Sequence, residues 1–311
     1  MSEHKIKHLV LSGGGLLGIS YIGLFKYFEE HNTLTHIKSI TGCSAGAIFG
    51  SLLAIGYTYK ELDTIVKSMV FKDYLKINVD SLLNFINAKG LESGHKLHLF
   101  IKNCIKDKTG DENITFSQIQ EKYNIKLQIG VTNLTKSIFE LFNADTTPDI
   151  PIIKAISASI AIPFMFEPII IGDDIYCDGG LLDNLPMYDT DFKKVDVDDD
   201  KADDTPDDSI DDSFSTIGFY LINKSNNINK DNYKTISLSQ YINVITHTLS
   251  KNIIHKKNKI ENSKKYKIIT IEIPCDIMTF IKLNATHDDI NNIIDIAYTI
   301  TNKFYQNLTK R

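Results

Sequence analysis

Gly42-Cys43-Ser44-Ala45-Gly46 follows a short apolar, β-prone run, Ile37 to Thr41, and opens a helix-prone run, Ala45 to Ile55. A serine on so sharp a strand-to-helix bend is held in a strained backbone conformation, and small residues at 42 and 46 let the chain close beneath it. Ser44 is therefore a candidate nucleophile, projecting into a cleft. Its hydroxyl would lie at a helix N-terminus, where free N–H groups and the helix dipole favour developing negative charge. A bare G-x-S-x-G also arises by chance as an ordinary turn, so the rest of the chain must decide.

Upstream, Lys7 to Ser12 reads as a strand, His8-Leu9-Val10-Leu11, running into Gly13-Gly14-Gly15-Leu16-Leu17-Gly18. A helix should follow, since Leu17, Tyr21, Leu24, Phe25 and Phe28 recur at helical spacing. Such a glycine loop offers backbone donors to an anion. It is an oxyanion hole, a dinucleotide fingerprint (Gly13, Gly15 and Gly18 satisfy G-x-G-x-x-G) or a purely structural turn. The dinucleotide reading needs an acidic residue about 20 residues on, to hold the ribose hydroxyls. No Asp or Glu occurs from Asn32 to Lys60, and the second strand delivers Ser44 instead. The oxyanion hole is the favoured reading.

With 311 residues, 42% of them apolar, the chain can bury a large core, and it reads as one domain over residues 6–311. No run approaches the roughly 20 apolar residues that cross a bilayer. The N-terminus lacks the apolar region and cleavage site of a secretory signal, so a cytoplasmic protein is expected. Cys43, Cys104, Cys177 and Cys275 are scattered without zinc-ligand spacing, which suits free thiols. Arg311 is the only arginine, so an anion must be held by backbone N–H groups or lysine, and nucleic-acid binding gains no support.

Further along, Gly56 reads as a helix cap, Tyr59 to Lys72 as an amphipathic helix, and Gly94 to Cys104 as another. His95 and His98 on the latter lack a third ligand nearby, which favours surface or packing roles over metal. Leu127 to Asn133 and Ser137 to Phe142 read as two β segments joined by a short turn. Pro151 suits the first turn of a helix reaching Ala161. Around Phe164-Met165-Phe166 an extended apolar wall serves equally well as core or as acyl pocket. Then comes Ile175-Tyr176-Cys177-Asp178-Gly179-Gly180. Asp178 is either part of an ordinary Asp-Gly-Gly turn or a base protruding from a strand end with little steric cover.

The loop Gly13 to Gly18, the elbow Gly42 to Gly46, the block Ala158-Ser159-Ile160-Ala161-Ile162-Pro163-Phe164, and Asp178-Gly179-Gly180 followed by Asn184-Leu185-Pro186 resemble, in order and spacing, the patatin-like phospholipases. The resemblance covers roughly residues 6–187. It implies a three-layer α/β/α domain with a mostly parallel central sheet and a Ser-Asp dyad, Ser44 as nucleophile and Asp178 as base. It further implies Gly14, Gly15 and Leu16 as oxyanion donors, and neither metal nor cofactor. One departure stands out: the family usually carries Arg or Lys at the fifth loop position, where this chain has Leu17.

The implied activity is calcium-independent hydrolysis of lipid acyl esters, most of all phospholipids, with transient contact at membrane or lipid surfaces. The alternatives are a Ser-His-Asp esterase or neutral-lipid lipase recruiting His247, His255 or His287, and a lipid-binding protein without turnover. Between 189 and 212, twelve aspartates against three lysines give −9, so the rest of this −5 chain carries +4. Such a run reads as a disordered acidic insertion. Asp196, Asp198 and Asp200 are spaced like the start of a calcium loop, but Lys201 replaces the turn glycine.

Overall fold

The computed structural model describes residues 6–74, 79–187, 215–223, 266–274 and 285–309, together with 234, 235, 241, 244, 245 and 248. The acidic segment 189–212, His247, His255 and Cys275 lie outside the described residues, and so does most of the span from Leu238 to Ile254, which the sequence reads as a helix.

In chain order the strands are β1 His8–Leu11, β2 Ser39–Cys43, β3 Gly90–Glu92, β4 Lys126–Asn133, β5 Ile138–Phe142, β6 Phe164–Phe166, β7 Ile169–Ile171, β8 Asp174–Asp178, β9 Thr216–Asn223 and β10 Tyr266–Ile273. The helices are α1 Tyr21–Glu30, α2 Ala45–Ala54, α3 Tyr59–Ser68, α4 Val79–Ala88, α5 His95–Thr109, α6 Phe116–Tyr123, α7 Ile152–Ser159 and α8 His287–Thr309. The main sheet runs β10-β9-β1-β2-β4-β8-β7, with β5 also on β4, and is flanked by helices. From β10 to β4 every pairing is parallel; β5, β8 and β7 are antiparallel.

This layering explains the sequence pattern. Strands covered on both faces carry continuous apolar runs, not alternation; β2 is buried at all five positions, and β1 at all but His8. Phe25 and Phe28 of α1 and Phe219 of β9 are fully buried, each contributing about 1.5–3 kcal/mol of burial free energy. Helix starts use side chains to satisfy free amides. Thr58 and Glu61 form a reciprocal capping box on α3, and Thr115 and Gln118 do so on α6.

Local departures from the expected elements have simple causes. The helix after the glycine loop begins as a 3-10 turn over Gly15–Ser20, because Leu17 N–H reaches back to the Gly14 carbonyl at 3.1 Å. β2 starts at Ser39 because Ile37 N–H is taken by Leu34, and it runs right up to the elbow. The helix from Tyr59 stops at Ser68, with a short 3-10 turn at Phe71–Asp73. Pro151 is extended and caps α7 from outside.

One consequence of the pairing sets up the site. β5 occupies one edge of β4 over Ile129–Asn133. β2 pairs with β4 as far as Cys43↔Gly130, and β8 pairs from Asn133 to Asp178↔Val131. Both must therefore use the other edge of β4, running towards one another and ending on adjacent rungs. Residues 44 and 178 are brought together by register.

Candidate active site

Ser44 stands between β2 and α2 with φ 52° and ψ −120°, a left-handed backbone that a non-glycine residue adopts only when its surroundings enforce it. The enforcement is steric and local. A Cβ on Gly42 would lie 2.3 Å from the Gly46 carbonyl oxygen, and one on Gly46 would lie 2.2 Å from the Leu11 carbonyl oxygen, so only glycine lets α2 start this close to β1 and β2. The Ser44 N–H donates to Ser159 Oγ at 2.8 Å.

The glycine loop adjoins the elbow. A Cβ on Gly13 would lie 2.9 Å from Ser44 Cβ, and one on Gly18 would lie 2.7 Å from Ala45 Cβ. Gly13 N–H donates to the Asn184 carbonyl at 3.2 Å, and Asn184 Nδ2 donates to the Gly13 carbonyl at 3.3 Å, which pins the loop to the segment after Asp178. From the other side, Tyr21 OH donates to the Ser12 carbonyl at 2.7 Å. Gly14, Gly15 and Leu16 precede the first helical bond, and their N–H groups donate to no described residue. Leu17 is buried in the core, so the family's cation is replaced by a packing side chain.

Asp178 is 5% exposed, which corrects the expectation of a base protruding with little cover. Its own N–H is taken by the Ala161 carbonyl at 2.9 Å, its carbonyl by Thr132 Oγ1 at 3.0 Å, and Oδ1 by Gly180 N–H at 2.7 Å. Gly179 is pressed against β4, where a Cβ would lie 2.4 Å from the Gly130 carbonyl oxygen. Burial pushes the Asp178 carboxyl up to about 6; the Ser44 hydroxyl, which faces it, and the Gly180 amide oppose that push. Ser44 is also buried, at 6% exposed, so the site lies beneath the surface and not in an open cleft.

Cys43 and Cys177 flank the pair, yet both are buried free thiols. Burial raises both, Cys177 to about 12, so neither offers a thiolate at neutral pH. Met165 is core, whereas Phe166 lines a cavity of about 300 Å³ with Leu97, His98, Ile160 and Ile169; neither Ser44 nor Asp178 lines it. His98 Nδ1 bonds Ser157 Oγ at 2.6 Å, the packing role anticipated for it.

Among the described residues, no hydrogen bond of Ser44 or Asp178 goes to a histidine. His287 is exposed at the start of α8, with Nε2 3.2 Å from the Lys67 carbonyl. His287→Gln is accordingly expected to keep esterase turnover within about tenfold of wild type, short of the 10²–10⁴ of a general base. A deeper loss at unchanged thermal midpoint would revive the triad. Two residues quoted in the sequence only as parts of longer blocks, Ser159 and Asn184, turn out to bind the elbow and the glycine loop. Neither had a local signal beyond its neighbours.

An uncharacterized protein of Acanthamoeba polyphaga mimivirus is 36% identical over 197 residues, covering 62% of this chain and 65% of that protein. A probable lipid hydrolase of Invertebrate iridescent virus 6 is 32% identical over 183 residues, covering 58% and 62%. The chain thus spans less than two thirds of the length of these relatives. VipD from Legionella pneumophila shares the fold with a TM-score of 0.51 over 96% of this chain and 67% of that one, at 16% identity. A model of the patatin-like phospholipase family matches residues 9–191, a span that holds the glycine loop, the elbow and the Asp-Gly-Gly turn, and the chain belongs to that family.

Proposed function

We propose that this chain is a lipid acyl hydrolase of phospholipase A type, working without calcium through a Ser44-Asp178 dyad. The observation that carries the reading is the strained Ser44 facing a buried carboxylate across the junction of β2 and β8. Asp178 accepts the Ser44 proton as Oγ attacks the ester carbonyl. The amides of Gly14, Gly15 and Leu16 hold the oxyanion, each such donor being worth ~3–4 kcal/mol in measured hydrolases. Collapse expels the alcohol, which takes the proton from Asp178, and leaves an acyl-Ser44 ester. Water, deprotonated by Asp178, then releases the fatty acid.

The lipid hydrolase among the relatives supports a lipid ester as substrate. No helix among the described residues is long and apolar enough to cross a membrane. The proposal includes transient, peripheral contact with a lipid surface from the cytoplasm. With Leu17 buried, head-group charge would meet backbone amides in place of a loop cation. Fluorophosphonate should label Ser44 in the wild type; an unlabelled Ser44 would leave the lipid-binding alternative.

Because Asp178 acts as a base only when ionised, kcat/KM should rise with pH and level off above about 6, falling roughly tenfold per unit below it. An acid limb near 4, the ordinary carboxylate range, would mean that burial does not raise the Asp178 carboxyl in the working enzyme.

A further inference from the structure

The C-terminal end of α7 touches the backbones of both Ser44 and Asp178. Ser159 is fully buried; its Oγ accepts from Ser44 N–H at 2.8 Å and donates to the Gly130 carbonyl at 2.7 Å. Two residues on, the Ala161 carbonyl accepts from Asp178 N–H at 2.9 Å. Gly130 is itself the rung of β4 on which β2 ends, and Val131, next to it, is the rung on which β8 ends.

The elbow needs this hydroxyl. The Ser44 amide lies beyond the last β2–β4 pair and before the first turn of α2, so neither the sheet nor the helix supplies an acceptor. A buried N–H without one is rare and costly. Ser159 has a single hydroxyl hydrogen, and it is committed to Gly130, which leaves Oγ as an acceptor for Ser44. One oxygen therefore ties the nucleophile's backbone to the strand that also carries the base.

We propose that Ser159 is a positioning residue for the nucleophile. Through the Ser44 amide it fixes the elbow against β4, and so the direction in which Ser44 Oγ leaves the backbone towards Asp178. The inference rests on the reading of Ser44 as nucleophile. Ser159 Oγ bonds neither the Ser44 hydroxyl nor the Asp178 carboxyl; it reaches the nucleophile through that amide, and it also bonds the Cys43 thiol one residue before it.

Ser157 provides a matched control. It is a second buried hydroxyl on α7, but it bonds to the Ile153 carbonyl and His98, not to the elbow. The experiment compares fluorophosphonate labelling rates of Ser44 and the split between kcat and KM in wild type, Ser159→Ala, Ser159→Cys and Ser157→Ala. Misplacement by about 1 Å costs up to about 10²-fold, so Ser159→Ala should label about 10- to 100-fold more slowly, with kcat reduced in step and KM within about threefold. Ser159→Cys, of similar size but a weaker acceptor, should fall between, and Ser157→Ala should stay within about threefold of wild type. If Ser159→Ala does not fold, Ser159→Cys decides: slower labelling at an unchanged thermal midpoint supports the role, and labelling at the wild-type rate overturns it. The role is also overturned by Ser159→Ala labelling within about threefold of wild type, or by Ser157→Ala slowing as much. An unlabelled wild type removes the nucleophile itself, and this inference with it.

Discussion

Replacing Ser44 by alanine is expected to lower acyl-ester hydrolysis at least ~10³-fold, and Asp178→Asn to do nearly the same, with the fold intact in both. In the proposed mechanism the two side chains form one proton-transfer unit. Once either is gone there is no attack for the other to assist, so the double variant should be little worse than the worse single one. Glycine-loop amides and ordinary binding would still supply residual rate over water. The measurement is single-turnover acyl release from a micellar phospholipid, normalised to folded protein. A residue whose variant keeps more than about a tenth of wild-type turnover does not belong to the dyad.

Asp178→Asn should at the same time make the protein more stable. The Asp178 carboxyl titrates at about 6 in the fold against an ordinary value of 3.8, because burial penalises its charge. A group shifted upward favours the folded state while protonated. That favourable contribution is complete below the ordinary value and is lost as pH rises through about 6. Above 6, then, the wild type carries an ionised buried carboxylate, a burden of up to about 3 kcal/mol for a shift of about two units. An asparagine carbonyl can still accept from Gly180 N–H without that charge. Urea unfolding should show the variant ahead by up to about 3 kcal/mol at pH 8 and level with wild type near pH 4. Equal stability at pH 8 would mean that the carboxylate is solvated in a way its burial does not suggest.

What was legible in the sequence was whatever depends on near neighbours. The apolar run before Gly42 and the small residues around Ser44 determine a strand, a bend and a helix within a dozen residues, so the elbow could be read directly. Tyr266 to Ile273 reads as a strand and Asp289 to Leu308 as a final helix from the residues alone, and β10 and α8 lie there. Asp178 was placed correctly at a strand end but with the wrong exposure. Its cover comes from Ala161, from β4 and from the returning segment at Gly180, none of which its own neighbours announce. Ser159 was harder still, since its partner is 115 residues away and a serine near a helix end has no pattern of its own. The β3–β6 pair, three residues in each strand, is too short to show a period and was not anticipated as a sheet.

The head-on meeting of β2 and β8 along one edge of β4 also makes activity a strict witness to folding. A slip of β8 by one residue would turn every one of its side chains to the opposite face. Asp178 would then point away from the elbow even though most of the core had formed. Partly assembled molecules, compact and rich in secondary structure, should therefore be inert, and the recovery of serine labelling during refolding would mark the moment when β8 locks into step.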